Sequence, residues 1–289
     1  MSEDPQVKNV TVVGAGTMGH GIAQMAAMAG YDVLITDSDP AAPSRAIDRI
    51  KKNLDGGLAR GKLTADERDG AITRLSTAPD VGSAASNADL CIEAVVEDLD
   101  VKHSVFRSLA AHASDDTILA TNTSSLPIAK IAEPIDHPER IIGMHFFNPV
   151  HIMPLVEVVV HDGTSESARV VALQTAARMG KVPIVVADSP GFATSRLGVV
   201  IALEAIRMVE QGVASAADID RAMELGYKHP MGPLKLTDVV GLDVRLAIAE
   251  TLHRELEGAH YEPPQMLRDK VAAGELGKKT GKGFYEWTE

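Results

Sequence analysis

The stretch "VTVVGAGTMG", Val10 to Gly19, decides the fold. Its β-branched run reads as a buried strand, and Gly14, Gly16 and Gly19 follow in the order G-x-G-x-x-G. The first glycine permits a tight turn, the second lets a pyrophosphate approach the backbone, and the third lets a helix pack closely on the sheet. The N-terminus of that helix then offers N–H groups to phosphates. A second strand, "YDVLITD", ends in Asp37, at the distance where an acid meets the ribose hydroxyls of a dinucleotide. A carboxylate there repels a 2′-phosphate, so the pattern predicts NAD rather than NADP. Gly14, Ala15, Gly16, Thr17, Met18, Gly19 and Asp37 are the expected contacts. The bland alternative is a glycine-rich turn followed by an exposed aspartate.

Working outward, "ADLCIEAV", "TILATN", "RIIGMHFF", "LVEVVV" and "KVPIVVA" read as further strands, with helices over 101–111 and 166–179 between them. Strand and helix in alternation imply a mostly parallel sheet covered on both faces. The charged insert over about 45–75 is too long for a simple connection and predicts a projecting helical hairpin. The character changes at "DSPGFATSRLGVV", where Ser189 suits an N-cap and Pro190 a first helical turn, with Gly212 as the stop. The expected fold class is α/β. A Rossmann-type doubly wound sheet over 1–188 is followed by an all-α C-terminal domain over 189–289, which serves a substrate cleft and dimerisation.

The chain has 289 residues and a formal net charge of -12, which argues against a nucleic-acid binder. A single cysteine, Cys91, excludes an intrachain disulfide and fits a reducing compartment. "MSEDPQ" lacks the apolar core of a secretory signal, and no apolar run is long enough to span a bilayer. The expectation is a cytoplasmic protein with no membrane partner.

"GMHFFNPVHIMPLVEVVV" sets His145 and Glu157 among residues that want to be buried, where a charge must be paired or used. Two strands joined by a turn bring such side chains within hydrogen-bond reach. A histidine is the natural general base near neutral pH, and a carboxylate on its far nitrogen fixes the tautomer. A purely structural pair is the alternative. His151 and His161 read equally as surface residues, and no H-x-x-x-H or cysteine cluster supports a metal.

Taken with "EAVVED", "TNTSSLPI", "DSPGF…R", "DIDRAMELG", "HPMGPLKLTDVVGLD" and "GKKTGKGFYEW", these stretches resemble the 3-hydroxyacyl-CoA dehydrogenase family over essentially the whole chain. The resemblance implies that His145 is the base and Glu157 its partner. It implies that Ser124 bonds the substrate's C3 oxygen, and that Glu97 and Lys102 meet the nicotinamide ribose side of NAD. It further implies that Asn148 contacts nicotinamide and that Lys279 approaches the cofactor from the second domain. Helix capping is the alternative for Ser124, with Ser125 able to take that role instead, and a solvated lysine is the alternative at 102 and 279. The family commonly has P-G-F-x-x-N-R, whose asparagine helps hold the reacting carbonyl. Here Ser195 stands in its place, with a shorter donor.

The implied reaction is reversible oxidation of (S)-3-hydroxyacyl-CoA to 3-ketoacyl-CoA. Coenzyme A is polyanionic, and the insert supplies Arg49, Lys51, Lys52, Arg60 and Lys62, which read otherwise as a solvated helix face. Apolar Leu197, Val200, Ile201 and Leu203 look exposed and point to a homodimer through the helical domain. The alternatives are a gulonate-type sugar-acid dehydrogenase of the same fold and a non-catalytic nucleotide-binding homologue.

Overall fold

The computed structural model describes residues 7–288. The chain divides between Ser189 and Pro190 into two compact units.

The first unit begins with β1 (Asn9–Val13), α1 (Thr17–Met28) and β2 (Asp32–Thr36), then α2 (Ala42–Ala59), α3 (Ala65–Thr73), β3 (Leu75–Thr77) and α4 (Val81–Ala85). It continues through β4 (Leu90–Glu93), α5 (Leu99–His112), β5 (Ile118–Thr121), α6 (Ile128–Ala132), β6 (Ile141–Phe146), β7 (Leu155–Val160), α7 (Glu166–Arg178) and β8 (Val182–Ala187). One eight-stranded sheet runs in the order β3-β2-β1-β4-β5-β6-β7-β8. All neighbours are parallel except β6 and β7. The order reverses at β1, so a crevice opens beyond the carboxyl ends of β1 and β4, the usual ligand position in such sheets. Val10, Val12, Ile35, Leu90, Ile92 and Ala120 form the centre of the core.

The insert differs from a projecting hairpin. Its first helix starts at Ala42, and both helices pack back on α1, with Ala46, Ile50, Leu54 and Ala71 buried in the core. A threonine capping box at Thr64 and Glu67 starts α3. The short β3 then returns the chain to the sheet, a strand that its sequence, "LST", hides.

The second unit holds α8 (Thr194–Glu210), α9 (Ala216–Gly226), α10 (Pro233–Val240), α11 (Leu242–Leu256) and α12 (Gln265–Ala272) around Val199, Leu203, Ile206, Leu234, Leu252 and Leu267. The expected helix start at Ser189 and Pro190 is overturned. Gly191 (φ 74°) and Phe192 (φ 49°) take left-handed backbone, and α8 begins only at Thr194. Leu203 also differs from expectation, since it is fully buried, whereas Leu197 is 64% exposed. Buried Asp238 receives the amides of Phe284 and Tyr285 and the indole N–H of Trp287, at 2.8, 2.9 and 2.8 Å, tying down the "GFYEW" segment. No helix among the described residues is long and apolar enough to cross a membrane.

Candidate active site

The glycine turn comes first. The amide of Gly14 donates to Thr36 across to β2, and a side chain at Gly14 (φ 103°) would meet the Ala94 carbonyl at 2.5 Å. At Gly19 it would strike the Gly14 carbonyl at 1.7 Å, so α1 can leave the sheet here only without a Cβ. At Gly16 an added Cβ would meet nothing within 4 Å. The open side belongs to a hollow of about 450 Å³ lined by Gly14, Gly16, Asp37, Pro40, Val95 and Val96 among others. Exposed Thr17 opens α1, followed by partly buried Met18. Asp37 accepts the amide of Ala15 at 2.7 Å, which holds its carboxylate at the rim of that hollow. The residues therefore fit a dinucleotide: backbone approach, helix N-terminus and an acid at the expected place. A larger depression of about 690 Å³, between α5 and the Pro134–Arg140 segment, contains none of these residues.

The histidine and the glutamate occupy directly opposed positions on β6 and β7, and His145 Nδ1 lies 2.7 Å from Glu157 Oε2. His145 is 7% exposed and Glu157 fully buried. Residues directly opposed across an antiparallel pair share one face of the sheet, so this register brings the two side chains together. Gly143, two residues before His145, has no room for a side chain: one would meet Val159 at 2.7 Å and Ile128 at 2.9 Å. The Phe147 ring leans on the imidazole, with centroids 4.4 Å apart.

The connection from β6 to β7 carries exposed Asn148, joined to Pro149 by a cis bond. Two anchors that sequence reading missed hold it. Buried Lys181 donates to the carbonyls of Val150 and Met153, and Val150 packs on α1 where Gly21 leaves space. Burial lowers the Lys181 pKa. A lysine immediately before the apolar run "VPIVVA" is the only signal for it.

A second polar cluster forms at the ends of β4 and β5. Lys102, on α5, sits 2.7 and 2.9 Å from the two oxygens of Glu93 and 3.3 Å from Glu97. Glu93 and Lys102 are buried, which removes the solvated alternative for Lys102. Thr121 donates its hydroxyl to Glu93 at 2.7 Å. Glu97 in turn accepts the hydroxyls of Thr123 (2.5 Å) and Ser125 (3.0 Å) and the amides of Ser124 (2.9 Å) and Ser125 (3.1 Å). Burial raises the Glu97 pKa, but Lys102 and these donors outweigh it, and the carboxyl is held below its usual range. Neither Ser124 nor Ser125 caps α6. That helix has Pro127 at its N-cap, and its Ala129 amide donates to Asp188 at 2.8 Å. Ser124 is left exposed, with its backbone fixed by Glu97. Glu93, Thr121, Thr123 and Lys181 are the residues the sequence did not single out. For Glu93 the available signal was an acid ending the apolar run "LCIE".

Among the basic candidates, Lys51 lies 3.8 Å from Asp48, and Lys52, Arg60 and Lys62 are exposed. Partial burial lowers the His151 pKa, and the charges of Lys181, His20, Arg60 and Lys62 lower it further, which places Arg60 and Lys62 in one cationic neighbourhood with the β6–β7 connection. In the second unit, Ser195 lies in the first turn of α8 and Lys279 pairs with Asp243 at 2.6 Å.

Comparison with known proteins bears on this geometry. The profile described as "3-hydroxyacyl-CoA dehydrogenase, NAD binding domain" matches residues 9–189, and "3-hydroxyacyl-CoA dehydrogenase, C-terminal domain" matches residues 191–287. A probable 3-hydroxybutyryl-CoA dehydrogenase of Bacillus subtilis is 44% identical, covering 98% of this chain and 99% of its own. A 3-hydroxybutyryl-CoA dehydrogenase of Mycobacterium tuberculosis is also 44% identical, over 97% and 99%. The crystal structure of (S)-3-hydroxybutyryl-CoA dehydrogenase from Ralstonia eutropha superposes with a TM-score of 0.95 at 37% identity, over 98% of this chain and 100% of that one.

Proposed function

Since the chain belongs to the 3-hydroxyacyl-CoA dehydrogenase family, we propose that its NAD-dependent oxidation of (S)-3-hydroxyacyl-CoA to 3-ketoacyl-CoA runs on His145 as general base. The observation that carries this assignment is the 2.7 Å contact between His145 Nδ1 and the buried Glu157 carboxylate. That contact keeps a proton on Nδ1 and makes Nε2 the basic nitrogen. Nε2 takes the proton of the C3 hydroxyl, and Glu157 stabilises the imidazolium that results. Bound NAD supplies the acceptor for the hydride leaving C3. In reverse, His145 returns the proton to the C3 oxygen.

Gly14, Ala15, Gly16, Thr17, Met18 and Gly19 receive the pyrophosphate, and Asp37 the adenosine ribose. Glu97, backed by Lys102, and Asn148 meet the nicotinamide end. Ser124, held by Glu97, donates to the C3 oxygen; for Ser195 as a second donor and Lys279 as a cofactor contact the support is the family resemblance alone. Among the insert's cations, Arg60 and Lys62 are favoured as contacts for coenzyme A phosphates, ahead of Lys51 and Lys52, because they share the cationic neighbourhood of His151. The second unit pairs with a second copy. Exposed Leu197, Leu225 and Tyr227 (64, 67 and 77%) support that, since apolar surface on this scale favours association. A reducing, cytoplasmic setting is supported by the single buried thiol of Cys91.

The test is direct. The purified chain given acetoacetyl-CoA consumes NADH stoichiometrically. Binding of NADH with no turnover of any acyl-CoA would revive the non-catalytic reading.

A further inference from the structure

The connection from β6 to β7, residues 147–154, follows His145 closely and carries Asn148. Within it the amides of Ile152 and Met153 both donate to the Pro149 carbonyl at 2.9 Å. That turn closes on the residue after Asn148, so whatever fixes the turn fixes the asparagine. Three contacts hold the connection from outside. At its start the Phe146 amide donates to Asn122 Oδ1 at 2.9 Å. Val150 packs on α1, where a Cβ added at Gly21 would meet it at 2.8 Å. The third is Lys181, whose ammonium donates to the carbonyls of Val150 and Met153, the latter at 3.0 Å.

The lysine is mounted rigidly. Gly180 (φ 72°) and Lys181 close a Schellman motif on α7, donating their amides to Ala177 and Ala176 at 2.9 and 3.0 Å. β8 begins at the next residue, and its Ile184 lies opposite Glu157, the partner of His145. The stem of Lys181 therefore starts from a fixed junction in the sheet that bears the His145–Glu157 pair. The fold by itself needs no ammonium there. Lys181 is 7% exposed, burial lowers its pKa, and no carboxylate among the described residues pairs with it. Burying a cation against two neutral carbonyls costs more than packing an apolar side chain of equal length. What the ammonium adds is direction, because two N–H bonds from one centre fix where the turn lies.

We propose that Lys181 is a positioning residue for hydride transfer: its ammonium fixes the turn after Asn148 so that Asn148 meets the nicotinamide. The inference rests on the reading of Asn148 as the nicotinamide contact. Hydride transfer depends on the distance and angle between C3 of the substrate and the nicotinamide ring. A displacement of about 1 Å in a positioned group can cost ~10²-fold in rate. The adenosine half of the cofactor is met by Asp37 and the glycine turn, which are held by bonds of their own. Loss of the ammonium should therefore be felt at one end of the dinucleotide only.

The experiment compares binding of NADH with that of ADP-ribose, which lacks the nicotinamide, on the full chain. Lys181→Met keeps the apolar stem and removes the ammonium. In it NADH affinity should fall about threefold to tenfold while ADP-ribose affinity stays within about twofold. Its kcat for acetoacetyl-CoA reduction should fall about tenfold to a hundredfold. Lys181→Gln, with N–H donors on a shorter stem, should show a smaller loss of the same kind, and it carries the comparison if the methionine variant does not fold. Asn148→Ala should reproduce the selective loss of NADH. Equal losses of both nucleotides in the Lys181 variants, the result of a merely structural lysine, would overturn the proposal. So would unchanged NADH affinity and kcat. Either result beside a selective loss in Asn148→Ala leaves the reading of Asn148 standing. An unchanged NADH to ADP-ribose ratio in Asn148→Ala would instead remove that reading, and the proposal with it.

Discussion

The ammonium of Lys102 lies 2.7 Å from Glu93 in a site where both side chains are buried, and the same ammonium is 3.3 Å from Glu97, whose carboxylate holds the Ser124 and Ser125 amides. A structural ion pair thus sits directly beneath the segment that presents Ser124.

Removing one member of a buried pair strands the other charge. Lys102→Met is expected to lower stability by about 3–5 kcal/mol. The double variant Glu93→Gln with Lys102→Met should lose less than the sum of the two single changes, because neither charge is then left alone. Strict additivity in denaturant titrations would contradict the coupling.

The Glu97 carboxyl has a folded pKa below its ordinary value of 4.5. A depressed carboxyl stabilises the fold fully above its unfolded pKa, and that contribution fades as pH falls through the folded value. Thermal midpoints measured from about pH 6 to about pH 3 should therefore drop less steeply in Glu97→Gln than in the wild type. Parallel curves would show that the carboxylate contributes nothing. At neutral pH the same variant should lower kcat, because the Ser124 amide then bonds an uncharged amide oxygen, a weaker acceptor than the carboxylate.

What the sequence revealed of this site divides along physical lines. His145 and Glu157 stood out because each interrupts an apolar strand, and two antiparallel strands with a short connection have few registers that bury both faces. The Glu93–Lys102 contact was hidden, because it depends on how α5 crosses back over β4, a tertiary angle that no periodicity encodes. The start of α8 was misplaced because Ser189-Pro190 is a sound local capping signal, yet Gly191 and Phe192 turn left-handed after it. Arg245, buried in the second unit, was overlooked for a similar reason. An arginine within an amphipathic helix reads as exposed until Gly198 on the facing helix makes room for it.

Cys91 is fully buried in β4, and burial pushes its thiol pKa up to about 12. The thiolate is the reactive species, so the native protein should ignore a thiol-specific reagent at neutral pH and react with one equivalent after unfolding. Rapid labelling of the native chain would place Cys91 elsewhere.

Lys62 shares its neighbourhood with His151 and Lys181. Lys62→Glu is expected to raise KM for acyl-CoA by about threefold to tenfold at low salt, with the difference shrinking as ionic strength rises. An unchanged KM would remove this lysine from the coenzyme site.

The central claim is that the imidazole held by Glu157 moves the C3 proton, and the most direct measurement is acetoacetyl-CoA reduction by His145→Gln beside NADH binding to the same variant. The account predicts NADH affinity close to that of the wild type and a kcat reduced by ~10²–10⁴-fold. Turnover near the wild-type rate in a folded variant that binds NADH would contradict it.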